Sequence, residues 1–225
     1  MDPKRRFLLK GMLASGAGSA LLGGAGLAQA ALDLDGRAPV PLVLLTACAD
    51  VEASFGAGVW AALPRGGALS VLHGEGAGLL AEVTPLLGGG RKLRLVGMVD
   101  DATGELLVAQ ARRQGARMRW LGLHAADRRE SRHSVVNGQG GQSALLALGE
   151  QLRQSSAGFA LKSEQPFSRA RDLSLAGLQN GALSADWAVH LGHALAAPGA
   201  PVDAAILPAA GARLQGRFVS FVIEV

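Results

Sequence analysis

Four short runs rich in aliphatic and β-branched residues recur about every 25 residues, the length of one strand plus one crossover helix. They are 40–47 (Val-Pro-Leu-Val-Leu-Leu-Thr-Ala), 68–73 (Ala-Leu-Ser-Val-Leu-His), 92–99 (Lys-Leu-Arg-Leu-Val-Gly-Met-Val) and 117–123 (Arg-Met-Arg-Trp-Leu-Gly-Leu). The stretches between them carry helix punctuation. Asp50 precedes Val51, Phe55 and Val59 at helical spacing, and Pro64 stops that segment. Leu79, Leu80, Val83, Leu86 and Leu87 form a second apolar stripe, closed by Gly88-Gly89-Gly90. Asp101 is placed to cap a third helix, which Gly115 ends after Arg112-Arg113. A β-α-β-α-β-α-β succession predicts a single α/β domain over 40–225. Its sheet is expected to be open and mostly parallel, with about five strands and helices on both faces.

Beyond Leu123 the pattern weakens. Residues 125–142 read as a loop around a short strand at 132–136, then a helix at 143–155, and 156–180 as irregular or partly helical. Ser184 can cap a helix from Ala185 to Ala196, ended by Pro198-Gly199. The final run, Arg217 to Val225, holds Phe218, Val219, Phe221, Val222 and Ile223, as a strand buried on both faces would. Glu224 hints at an edge. The succession is similar to three-layer folds of Rossmann-like or flavodoxin-like type.

The N-terminus reads as an address. Lys4-Arg5-Arg6-Phe7-Leu8-Leu9-Lys10 is followed by a glycine- and alanine-diluted apolar stretch, and Ala28-Gln29-Ala30 forms a small-x-small cleavage site. The Arg5-Arg6 pair with Leu8, Leu9 and Lys10 resembles a twin-arginine (Tat) signal. Lys4 and Leu8 depart from the usual residues at their positions; the arginine pair does not. The resemblance covers residues 1–30 and implies export of a folded bacterial protein by the Tat machinery, cleavage before Ala31, a linker at 31–39 and a periplasmic location. No stable membrane span remains after cleavage. A competing address is Leu45-Thr46-Ala47-Cys48, which matches a lipidation box. Retention through an uncleaved signal is the other membrane-anchored alternative.

Charge then excludes a partner class. The chain has 22 basic and 18 acidic residues. The first thirty residues hold four of the basic and one of the acidic, which leaves 18 against 17 and a domain close to neutral. With no Tyr and no basic stripe interleaved with aromatics, nucleic-acid binding is not expected.

In an open α/β sheet, ligands collect beyond the carboxyl ends of the strands. Reading each strand to its end brings Cys48 and Asp50, His73 and Glu75, Asp100 and Asp101, and His124 and Asp127 towards one rim. His73, Asp100, Asp101 and His124 are the acid/base candidates of this set. The charged stretch Arg128, Arg129, Arg132 and His133 is the candidate for holding an anion, because guanidinium groups bind carboxylate and phosphate bidentately. Gly74-Glu75-Gly76-Ala77-Gly78 and Gly138-Gln139-Gly140-Gly141 stand where phosphate loops stand, yet neither completes G-x-G-x-x-G, and no Walker lysine follows. His190 and His193 lie three apart on one helix without a third ligand, so no metal site is assigned. The single Cys48 rules out an intramolecular disulfide, and no G-x-S-x-G, H-E-x-x-H or C-x-x-C occurs. The cofactor is left open, except that the single cysteine excludes a protein-ligated iron–sulfur cluster and a c-type haem. The expected function is a non-catalytic binding or accessory protein of the cell envelope with a periplasmic protein partner. The alternative is a small periplasmic enzyme acting on a polar or anionic substrate at the strand-end rim.

Overall fold

The computed structural model describes residues 40–63, 69–137, 141–154, 157–164, 174–180, 184–200, 207 and 214–225. The signal at 1–30 and the linker at 31–39 lie outside the described residues. The strands are β1 (Leu42–Thr46), β2 (Leu69–His73), β3 (Arg94–Asp100), β4 (Arg117–Ala126), β5 (Glu130–Asn137), β6 (Ala157–Glu164), β7 (Ser174–Asn180) and β8 (Gly216–Glu224). Helix α1 is continuous through Ala49–Val51, a π-helical turn Glu52–Gly56, and Ala57–Ala62. The others are α2 (Gly76–Gly88), α3 (Asp101–Arg113), α4 (Gln142–Gln154) and α5 (Asp186–Ala196).

All eight strands join one sheet in the order β2-β1-β3-β8-β4-β5-β6-β7. β1 pairs in parallel with both β2 and β3. β8 is antiparallel to β3 and to β4, so β1 to β4 all point the same way although β3 and β4 never touch. Beyond β4 come antiparallel β5, then β6 parallel to β5, then antiparallel β7. Helices cover both faces as expected, but the mostly parallel sheet of about five strands is corrected. Antiparallel ladders number four among the seven of the described residues.

The physical reason lies in β8. Its residues are buried alternately into both layers. Val219, Phe221 and Ile223 enter one core cluster, and Phe218 and Val222 the other. A strand apolar on both sides is most stable in the middle of a covered sheet. Glu224 marks no edge: it ends a central strand and is held by Arg94 at 3.2 Å and Arg119 at 2.6 Å. The segment expected to be irregular holds β6 and β7, and the short strand at 132–136 is the longer β5. In β6, Phe159 and Leu161 are buried while Ala160 and Lys162 are exposed, the period-2 alternation of a half-buried strand.

On one face, Leu79, Val83 and Leu87 of α2 and Leu107, Val108 and Ala111 of α3 cover Leu45, Leu95 and Phe221. On the other, α1, α4 and α5 cover Leu44, Val96, Trp120 and Val222. Here α1 and α5 meet backbone to backbone. A Cβ on Gly58 would collide with the Val189 carbonyl, and one on Gly192 with the Phe55 carbonyl. The contact falls on the π turn of α1, where the buried Ser54 hydroxyl donates to the Asp50 carbonyl at 2.7 Å. Such back-bonding and the π turn both bend a helix.

Candidate functional site

The chain passes from β1 to β2 on one side and then returns to β3 on the other. Helix α1 packs on one face and α2 on the opposite face. The connections therefore part between β1 and β3, and such a switch point leaves a crevice outside the carboxyl ends of the strands. A crevice of about 510 Å³ lies there, lined by Ala47, Cys48, Asp50, Glu75, Asp100 and, from the start of β8, Leu214 to Phe218. A smaller one of about 270 Å³ adjoins it, sharing Gly216 and Arg217 and adding Asp127, Glu130 and Arg132.

The N-termini of three helices meet at this end of the sheet. Asp100 caps α3, its Oδ1 accepting the Thr103 amide at 2.9 Å. The Thr103 hydroxyl oxygen accepts the Gly76 amide at 2.7 Å, tying the start of α2 to that of α3. Gly76 has φ +56°, a left-handed conformation that explains glycine in this turn. The exposed Cys48 occupies the N-cap position of α1. Asp101 follows the cap rather than forming it. The other Asp100 oxygen, Oδ2, is buried without a partner among the described residues. Asp100→Ala is expected to cost about 1 kcal/mol through the lost cap, read as a lower urea midpoint. Asp100→Asn, which still caps, should retain most of that stability.

The four acid/base candidates are not brought together. Asp100 lines the crevice and Asp101 starts α3. His73 is half-exposed, its Nδ1 2.8 Å from the buried Thr46 hydroxyl and its Nε2 3.6 Å from Glu52. His124 is four strands away, since β1, β3 and β8 separate β2 from β4. At about 4.8 Å per strand that is roughly 19 Å. It also stops short of the rim, because β4 continues to Ala126.

The anion candidates are split as well. Asp127 turns the chain between β4 and β5 by accepting the amides of Arg129 at 2.8 Å and Glu130 at 2.9 Å. Those two bonds hold its carboxyl below the usual range. Arg128 and Arg129 are exposed, and Arg132 pairs with Glu130. His133 points away from them into the core, 2% exposed.

There it completes a feature that residue-by-residue reading missed. His124 and His133 are cross-strand partners with Nδ1 atoms 2.8 Å apart. His124 Nε2 lies 2.7 Å from the Ser220 hydroxyl, which also accepts the Trp120 indole N–H at 2.8 Å. Trp187 of α5 covers both rings, with centroids 5.1 Å from His124 and 4.7 Å from His133. Gly122 leaves the space for this, because a Cβ would stand 2.6 Å from the Ser220 oxygen and 2.7 Å from His124 Nε2. Burial pushes the pKa of His124 well below its ordinary value, with repulsion from His133 adding to it. Burial alone pushes His133 down to about 3. The available signal was the turn at Asp127, which fixes a hairpin register with the two histidines opposite each other.

His190 and His193 both stand partly buried on α5. Among the described residues no group of three metal-ligating side chains occurs, and no helix is long and apolar enough to cross a membrane. No protein-family model, curated protein or solved structure matches this chain.

Proposed function

We propose that this chain is a Tat-exported, non-catalytic binding or accessory protein of the bacterial cell envelope, holding a small polar molecule in the switch-point crevice. The observation that carries the reading is the crevice itself, open at the position where α/β sheets take ligands and lined on one side by Asp50, Glu75 and Asp100 and on the other by Arg217. Three carboxylates beside one guanidinium favour a cationic or zwitterionic ligand over an anion. His124 lies too far from His73 to act on the same atom of a substrate, which weighs for binding over the acid/base alternative. Among the described residues that line the crevice with Cys48, none is a histidine. Export rests on the Arg5-Arg6 signal and cleavage site in the sequence. A periplasmic protein partner belongs to the accessory part of the same reading.

Native mass spectrometry of the protein purified from the envelope fraction tests binding and address together. The expected result is a start at Ala31 and a discrete small-molecule adduct on the wild type, reduced at least tenfold in Arg217→Ala. A wild type that carries no adduct when purified without dialysis contradicts the binding reading, and a lipidated Cys48 contradicts the soluble address.

A further inference from the structure

The polar chain under α5 has a preferred direction. If Trp120 donates to Ser220, Ser220 to His124 Nε2, and His124 Nδ1–H to His133 Nδ1, each bond has one donor and one acceptor. Only the N–H at His133 Nε2 is then left over, an atom that is buried and unpartnered among the described residues. The reverse direction strands both His133 Nε2 and the Ser220 proton. In the preferred arrangement every basic ring nitrogen already accepts a bond. Adding a proton at His133 Nδ1 sets two N–H groups against each other across 2.8 Å, and adding one at His124 Nε2 opposes the Ser220 proton.

Among the described residues, the positions flanking the pair on its own and the neighbouring strands carry no charge. The positions around the pair are Gly122 and Ala126 on β4, Ser131 and Val135 on β5, Leu161 on β6 and Phe218 on β8. Arg132, Lys162 and Arg217 on the same strands are exposed. On α5, Asp186 raises the pKa of His190 and His193 lowers it. Both rings are sealed by Trp187.

We propose that the His124–His133 pair is an acid-sensitive latch that holds α5 on the sheet at neutral pH and releases it when the rings take up protons. Solvating the rings requires the Trp187 cover to lift, so protonation and release of α5 are one event. The direction follows from linkage: the buried pKa values lie below the open-state value of 6.5. The latch is therefore complete above pH 6.5 and weakens as pH falls from there towards about 3. Each ring that protonates on opening raises the opening constant about tenfold per pH unit. This latch does not depend on what the crevice binds.

Hydrogen exchange of the full chain at pH 7.5 and 5.0, corrected for intrinsic exchange, tests it. Opening of 184–200 is expected to rise about 30-fold if one ring protonates and up to about 1000-fold if both do, with a smaller rise in α2 and α3. His133→Leu should cut the ratio of the two pH values to that of one ring, whereas His190→Gln with His193→Gln should leave most of it. If His133→Leu does not fold, ring signals of ¹³C-labelled histidine in the wild type replace it, with the two buried rings expected to stay neutral down to pH 5. The latch is overturned if α5 exchange does not change with pH, if α2 and α3 respond equally, or if the helix histidines account for the response. It is equally overturned if either buried ring titrates near 6.5 in the folded chain.

Discussion

Gly192→Ala is expected to destabilise the chain by about 3 kcal/mol or more, at the upper end of overpacking costs. The added methyl meets the Phe55 carbonyl, which is backbone and has no rotamer to yield. Relief requires α1 and α5 to separate, and that strips contacts from Val51, Phe55 and Val59 on one helix and Ala188 and Leu191 on the other, all fully buried. Gly58→Ala should cost a similar amount through the Val189 carbonyl. Because the two glycines form one crossing, the double variant should cost clearly less than the sum: once the helices have parted, the second methyl finds room. Urea unfolding of the three variants measures this. Losses under about 0.5 kcal/mol, or strict additivity, would mean that the helices do not touch as described.

Ser220→Ala is expected to cost about 2–4 kcal/mol, because it leaves two buried groups without partners, the Trp120 indole N–H and His124 Nε2. Ser131→Ala and Ser163→Ala are the matched controls. Their hydroxyls are buried but bond to nothing among the described residues, so their removal should be neutral or slightly stabilising. In a Trp120→Phe background, Ser220→Ala should cost about 1 kcal/mol less, since one of the two orphans is already gone. The same cost at all three serines would show that Ser220 contributes only volume.

Local signals carried the first half of the fold. Strands β1 to β4 and helices α1 to α3 follow from apolar periodicity and glycine stops, and all four strands run in the inferred direction; Asp50 and Asp101 stand in the first turns of α1 and α3 rather than at their caps. Strand order was not legible. Where β8 inserts depends on long-range pairing, and an apolar run buried on both faces reads alike in a parallel or an antiparallel sheet. Strand β6 was missed although Phe159, Leu161 and Lys162 alternate, because Ala160 and Ser163 mute the pattern. The rim was half legible. Cys48, Asp50, Glu75 and Asp100 do line one crevice, but Arg217, which faces them, comes from the far end of the chain, where only the tertiary fold brings it. His124 and His133 belong to the core, a role their separate positions did not reveal until the hairpin paired them.

Backbone NMR of the uniformly ¹⁵N-labelled protein, titrated with the dialysable small-molecule fraction of periplasmic fluid, tests the binding claim most directly. Shifts are expected to concentrate at Ala47 to Asp50, Glu75, Asp100 and Leu214 to Phe218, and to disappear in Arg217→Ala. Shifts confined to α5 and the histidine pair, or none at saturating extract, would contradict a ligand site at the switch point.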